Sequence, residues 1–347
     1  MGRMRRSWLL SGICCAIFLL LTGCASQSDS ERYTLQLGVA CYNQSDTFLS
    51  QLIDRLKTDL AAAETDSFQT HIMVRDAAGS QRTQDDQVKE LLDAGANVLC
   101  VNLVDRADPS EIIDLARERN VPIIFFNREP VAEDMRQWDQ LYYVGADAKQ
   151  SGQLQGELAA DYITQHPQID RNKDGKIQYV VLEGEPGHQD AIIRTETAVD
   201  TLKSLGVSLD KLGSGIANWN RAQAQNRMLQ LISQHQSGIE LVLANNDDMA
   251  LGAIAAYQKL NYTESAMPVV LGIDGTDVGL EAILNHTLAA TVYNDKEGQT
   301  AAILQLAQAL VTGQGMDQIQ FAKDHYIYLP YTKVTAENAA AYLAKSD

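Results

Sequence analysis

From residue 33 onward the chain alternates two patterns: short runs of consecutive apolar residues, and stretches whose apolar side chains recur every three or four positions. The first pattern fits strands buried on both faces, and the second fits amphipathic helices. Residues 35–41, 70–74, 97–103 and 121–126 read as strands, with helices at 47–63, 84–94 and 109–119 between them. The helix 47–63 puts Phe48, Leu49, Leu52, Ile53, Leu56 and Leu60 on one face. The alternation resumes after residue 145 with helices at 148–164, 190–204, 221–234, 248–260, 277–284 and 296–311, and strands at 177–182, 239–244, 268–273 and 288–293. Repeated units of this kind imply parallel sheets covered on both faces. No repeat of solenoid period is present. The expected fold class is α/β, with two doubly wound parallel-sheet lobes joined by a hinge.

In such sheets ligands gather just beyond the carboxyl ends of the strands. Tyr42, Asp46 and Phe48 follow the first strand, and Asn127 follows the strand at 121–126. His188, Asp190 and Arg194 come after 177–182, and Asn245, Asn246 and Asp247 after 239–244. Asp274 and Asn294 close the last two strands, with Asp295 next to Asn294. Each has an ordinary explanation when taken alone. Asp46, Asp247 and Asp295 suit helix N-caps, and asparagine after a strand suits a turn. Tyr42 and Phe48 suit a core, and His188 a solvent-facing turn. Six strand ends sharing this chemistry predict one polar cleft.

With 347 residues and 45% hydrophobic content, the chain can build two cores. Its formal charge of −17 argues against nucleic acid or an anionic membrane surface as partner of the folded part. The three arginines among the first 23 residues make the remainder more acidic still. Arg3, Arg5 and Arg6 precede an apolar run ending in Leu21-Thr22-Gly23-Cys24, which resembles the lipobox of bacterial lipoproteins. Residues 1–23 are thus expected to be a signal peptide and 24–32 a tether lipidated at Cys24, leaving the body exported and held to the outer side of a bacterial membrane; an uncleaved N-terminal anchor is the alternative, with the body exported either way. Cys41 and Cys100 lie in apolar runs and suit buried free thiols, with a disulfide between them as the alternative.

Asp170, Asn172 and Asp174, with Gly175 sixth in line, have the spacing of the first half of a calcium loop. The second half differs from an EF-hand. Position twelve is Val181, and residues 177–182 read as a strand. Gln178 is the natural fifth side-chain position, Lys176 can offer only its carbonyl, and a further carboxylate must come from elsewhere. An Asp/Asn/Gly-rich surface turn without metal is the plain alternative.

Taken together, Tyr42…Asp46-Thr47-Phe48, Phe125-Phe126-Asn127-Arg128-Glu129-Pro130, Tyr142-Tyr143-Val144-Gly145, Gly184-Glu185-Pro186-Gly187-His188-Gln189-Asp190, Asn218-Trp219, Ala244-Asn245-Asn246-Asp247 and Thr291-Val292-Tyr293-Asn294-Asp295 resemble the periplasmic D-galactose/D-glucose-binding proteins, solute receptors of ABC-type importers. The resemblance covers everything after the tether. It implies the type I periplasmic binding protein fold, with 33–145 plus 292–328 in the N-terminal lobe and 146–291 plus 329–347 in the C-terminal lobe. It carries hydrogen bonding to a hexose onto Asp46, Asn127, His188, Asp190, Arg194, Asn246, Asp274 and Asn294. Stacking falls on Phe48 and Trp219, and Tyr42 takes a flanking position. It also implies a structural calcium ion held by Asp170, Asn172, Asp174, Lys176, Gln178 and Glu240, and an ABC-type sugar permease as partner of a monomeric receptor. The chain departs from the family's pattern at Cys41, Asn43, Gln44, Asn220, Arg221 and residues 261–267.

The chemistry suits a polyol without appeal to the family. Each sugar hydroxyl both donates and accepts, so Asp, Asn and a forked Arg can bracket it, while flat aromatics cover apolar C–H faces. Hinges are expected near Gly145, Asn294 and 329–330, with closure over the sugar as the signal to the permease. Three other functions compete with this one. A calcium-dependent glycosidase needs an acid and a base flanking a scissile bond, and the sequence has no G-x-S-x-G, H-E-x-x-H or phosphate loop. A repressor core needs a DNA-binding head. A sugar-sensing receptor for chemotaxis or signalling shares the binding chemistry.

Overall fold

A computed structural model of the protein describes residues 32–345. The predicted signal peptide, the tether through residue 31 and Cys24 lie outside the described residues. The first half runs β1 (Tyr33–Cys41), α1 (Thr47–Ala62), β2 (Phe68–Asp76), α2 (Gln81–Asp93), β3 (Val98–Val101), α3 (Ser110–Arg119), β4 (Ile123–Phe126), α4 (Ala132–Met135) and β5 (Leu141–Ala146). The second half runs α5 (Ala148–Gln165), β6 (Ile177–Glu183), α6 (Gln189–Ser204), β7 (Leu209–Ile216), α7 (Arg221–His235), β8 (Leu241–Ala244), α8 (Asp247–Lys259), β9 (Val269–Leu271), α9 (Asp277–Leu284) and β10 (Thr291–Asn294). Last come α10 (Lys296–Thr312), β11 (Tyr326–Leu329), β12 (Tyr331–Val334) and α11 (Ala339–Leu343).

Two parallel sheets organise these elements. One has the order β11-β5-β4-β3-β1-β2 and the other β7-β6-β8-β9. The strands β3, β4 and β8 are buried at every position, which is why their sequences are unbroken apolar runs. The face of α1 predicted from spacing is the face it buries. The chain passes from one sheet to the other between β5 and α5, returns between β10 and α10, and crosses again between β11 and β12. Strand β10 pairs antiparallel with β12, and Asp274 bridges to Tyr293, which continues the second sheet to that crossing.

Both sheets start a βαβ unit in the middle and reverse direction beside it, β1 with β3 in the first and β6 with β8 in the second. The crevice at such a reversal opens at the strands' carboxyl ends. Cys41 and Cys100 are buried free thiols with no bond between them. Burial pushes the Cys41 thiol up to about 12, and it raises Cys100 as well. The disulfide alternative is therefore set aside.

Candidate functional site

Ten of the eleven predicted side chains line a single cleft: Tyr42, Asp46, Phe48, Asn127, His188, Asp190, Arg194, Trp219, Asn246 and Asp274. The first four come from the lobe of β1 and β4, and the rest from the lobe of β6 and β8. The eleventh, Asn294, stands one layer back. It is 2% exposed, its Oδ1 accepts from Gln299 Nε2 at 2.7 Å, and its carboxamide hydrogen-bonds the Asp274 carboxylate.

Helix capping fixes several of these groups. Asp46 caps α1, accepting the Leu49 N–H at 3.0 Å, and its other oxygen accepts from Tyr42 Oη at 2.7 Å. His188 Nδ1 accepts from the Asp190 N–H at 3.2 Å at the start of α6, and Asn246 Oδ1 accepts from the Met249 N–H at 2.9 Å at the start of α8. The capping and binding readings are thus compatible, because a cap holds the side chain at one angle with lone pairs to spare. Asp295 caps α10, whereas Asp247 lies inside α8 and is held by Thr276 and Thr291. Asn127 Oδ1 accepts from Asn102 Nδ2 at 3.0 Å, which leaves its own amide hydrogens directed elsewhere.

Three wall residues occupy left-handed backbone: Asn127 at φ 60°, Trp219 at φ 60° and Asp274 at φ 111°. Such conformations cost energy for residues other than glycine and gather at binding sites. The Trp219 indole lies over Gly184, where an added Cβ would come within 2.2 Å of the ring. His188 meets the same indole edge-on at 5.2 Å between centroids.

Charge in the cleft is balanced by burial. Arg194 donates from Nη1 to the Asn245 carbonyl at 2.7 Å and to Asp274 at 3.4 Å, and from Nη2 to Tyr331 Oη at 3.0 Å. Burial works against its charge, but Tyr331, Asp274 and Asp190 outweigh this and hold its pKa above the ordinary arginine value. Burial raises Asp46, Asp190 and Asp274, the last well above the usual carboxylate range despite Arg194. Burial first, then Arg128 and Arg194, push His188 down to about 2, so it is neutral at physiological pH. Two donors in the cleft, Arg194 Nε and Trp219 Nε1, are buried without a partner. Buried donors are almost always paired, and these two find no acceptor among the described residues.

Sequence reasoning missed Arg128, which also lines the cleft. Its guanidinium lies 3.5 Å from the Tyr42 ring centroid. The available signal was its place next to Asn127 at a strand end, and a long cation there reads equally as solvent-facing. Asn102 and Tyr331, which hold Asn127 and Arg194, were also missed, because pattern alone does not show which polar groups stand behind a wall.

The loop before β6 gathers the predicted metal ligands. Asp174 Oδ2 accepts from Asn172 Nδ2 at 3.1 Å and from Gln178 Nε2 at 2.9 Å, and Asn172 Nδ2 also reaches Gln178 Oε1 at 3.2 Å. Asp170 accepts the N–H groups of Asp174 and Gly175, and Lys176 donates its N–H to Asp174. Glu240, 2% exposed, accepts the N–H of Arg171 at 2.6 Å and of Gln178 at 3.1 Å. Among the described residues no three acidic, histidine or cysteine side chains close into a ready-made metal centre. The donors nonetheless fit calcium by type: carboxylate and carboxamide oxygens around one turn, with Gly175 at φ 78°. Turning the Asn172 and Gln178 amides would present oxygen where nitrogen now stands.

Comparison with known proteins agrees with this architecture. Residues 37–315 match the model of the periplasmic binding protein domain. The D-galactose/methyl-galactoside binding periplasmic protein of Haemophilus influenzae is 34% identical over 98% of this chain and 100% of its own. A putative rhizopine-binding protein of Rhizobium meliloti is 30% identical over 79% of this chain and 83% of its own. Among solved structures, an ABC transporter solute binding protein of Bacillus halodurans with bound myo-inositol superposes with a TM-score of 0.73 at 28% identity, covering 92% of this chain and 99% of that one. A solute binding protein of Actinobacillus succinogenes with bound D-allose shares the fold, with a TM-score of 0.75 at 19% identity over 90% of this chain and all of that one. From its strand order, its cleft and these similarities, the chain belongs to the periplasmic binding protein family.

Proposed function

We propose that the protein binds one monosaccharide, D-galactose or D-glucose, between its lobes and delivers it to an ABC-type importer. The observation that carries this reading is the cleft wall, where both lobes supply fixed acceptors and donors, two of the donors buried and unpartnered, beside the aromatic faces of Phe48 and Trp219. A pyranose offers matching hydroxyls and apolar C–H faces. A sugar lacking the right hydroxyl would leave buried groups unpaired and be rejected. The similarity to the Haemophilus influenzae protein supports galactose over the other sugars. No reaction is assigned, and the relatives are binding proteins as well.

In this reading calcium fills the loop before β6, held by Asp170, Asn172, Asp174, the Lys176 carbonyl, Gln178 and Glu240, and supports the second lobe without touching the sugar. Export and a lipid on Cys24 keep the receptor at the membrane, and among the described residues no helix is long and apolar enough to cross one. A thermal-shift panel tests the sugar assignment. D-galactose or D-glucose should raise the melting temperature more than D-ribose, D-allose or myo-inositol, and a larger shift with one of the latter would overturn the choice of hexose. Metabolic labelling with palmitate should mark the parent and not a Cys24→Ala variant, and equal labelling of the two would refute the anchor.

A further inference from the structure

Two side-chain contacts join the lobes across the cleft, and of their four residues only Arg128 also lines it. In the first, Arg128 of the β1–β4 lobe donates from Nη1 to the Val104 carbonyl at 3.0 Å and from Nη2 to Glu185 Oε1 of the opposite lobe at 3.1 Å. Its side chain is 4% exposed and stacks on Tyr42. In the second, Asp248 at the start of α8 accepts from Thr47 Oγ1 on α1 of the other lobe. Its second oxygen accepts from Arg221 Nε at 2.9 Å and Nη2 at 2.5 Å within its own lobe. Each partner is a near neighbour in sequence of a cleft-lining residue: Thr47 of Asp46, Arg128 of Asn127, Glu185 of His188, Arg221 of Trp219 and Asp248 of Asn246.

We infer that Arg128–Glu185 and Thr47–Asp248 form a two-point latch that exists only while the lobes are closed and sets how long the ligand is held. The inference rests on the reading of the cleft as a closing sugar site. Each contact has one partner on each lobe, so hinge opening separates it. One side of each is already positioned by its own lobe, Arg128 by Tyr42 and Val104, and Asp248 by Arg221. Closure then orders few additional rotors, and most of the contact's free energy remains to favour the closed form. Apparent affinity scales with the fraction of molecules in the binding-competent state, so a contact between protein groups that forms on closure tightens binding. Arg221, where this sequence departs from the resembled pattern, gains a role as the residue that presents Asp248.

Glu185→Gln and Thr47→Val, alone and combined, test the latch by rapid mixing with D-galactose, followed by tryptophan fluorescence. Each single variant should speed dissociation by about tenfold, the effect of losing one hydrogen bond to a charged group, while association stays within about threefold. The ratio of galactose to glucose affinity should be unchanged, because neither residue reads a hydroxyl. Dissociation within twofold of the parent in the double variant would overturn the latch, and an altered sugar ratio would make these residues sugar contacts instead. A parent that bound no hexose would refute the sugar site. The latch would then be judged by the same dissociation measurement with D-allose or myo-inositol as the probe, where a double variant within twofold of the parent would refute it.

Discussion

Trp219 shows how a single binding plate depends on its neighbours. The residue takes a left-handed backbone conformation, and its indole rests where a side chain at position 184 would otherwise stand. Trp219→Ala should weaken hexose binding by roughly ten- to a hundredfold through lost stacking and burial. Gly184→Ala should do nearly as much without touching the sugar, because its methyl group displaces the ring. Titration calorimetry checks both, and parental affinity in either variant would remove that plate from the account. Asp247 gives a pH prediction at the same scale. Burial raises it from 3.8 to about 7, while Thr291 and Thr276 donate to it. A carboxyl whose folded pKa lies above its unfolded value favours folding while protonated, so its contribution declines as pH rises from about 4 to about 7. The decline should be on the order of a few kcal/mol. Asp247→Asn should flatten that part of the pH profile in urea denaturation, and a profile parallel to the parent's would contradict it.

At the scale of elements, the loop between α5 and β6 is expected to behave as a clamp on the second lobe. Adding calcium should raise the melting temperature by several degrees, and a chelator should reverse the rise. Glu240→Gln should abolish the calcium-dependent part while galactose affinity stays within about threefold. An unchanged melting curve on chelation would remove the metal. The elements also show what sequence makes legible. Helix α1 and strands β3, β4 and β8 follow from pattern alone, because each buries a continuous stripe or both faces. The hydrophobic pattern does not predict strand β7. It lies at a sheet edge with most positions at least partly exposed, so Leu209–Ile216 carries no apolar run and is fixed by its ladder with β6. Pattern alone also leaves β5, β11 and β12 undefined, because their aromatic and small residues lack a clear period, although the two-lobe reading places crossings at 145 and 329–330. Within the cleft, groups at strand ends were legible by position. Arg128 and the residues behind the wall depend on long-range packing, as does the placement of Asn294 behind Asp274.

For the whole molecule, three crossings between the sheets join the lobes. A ligand held by both walls favours the closed form by its differential affinity for the two states. Small-angle scattering should show a smaller radius of gyration with D-galactose than without it, and no change in a variant lacking Asp274 and Trp219. The most direct test of the account is titration calorimetry of the mature protein with D-galactose and D-glucose. One site per chain, competition between the two sugars, and loss of binding in Asp274→Ala are expected. Absence of binding by either hexose, or binding that survives Asp274→Ala unchanged, would contradict it.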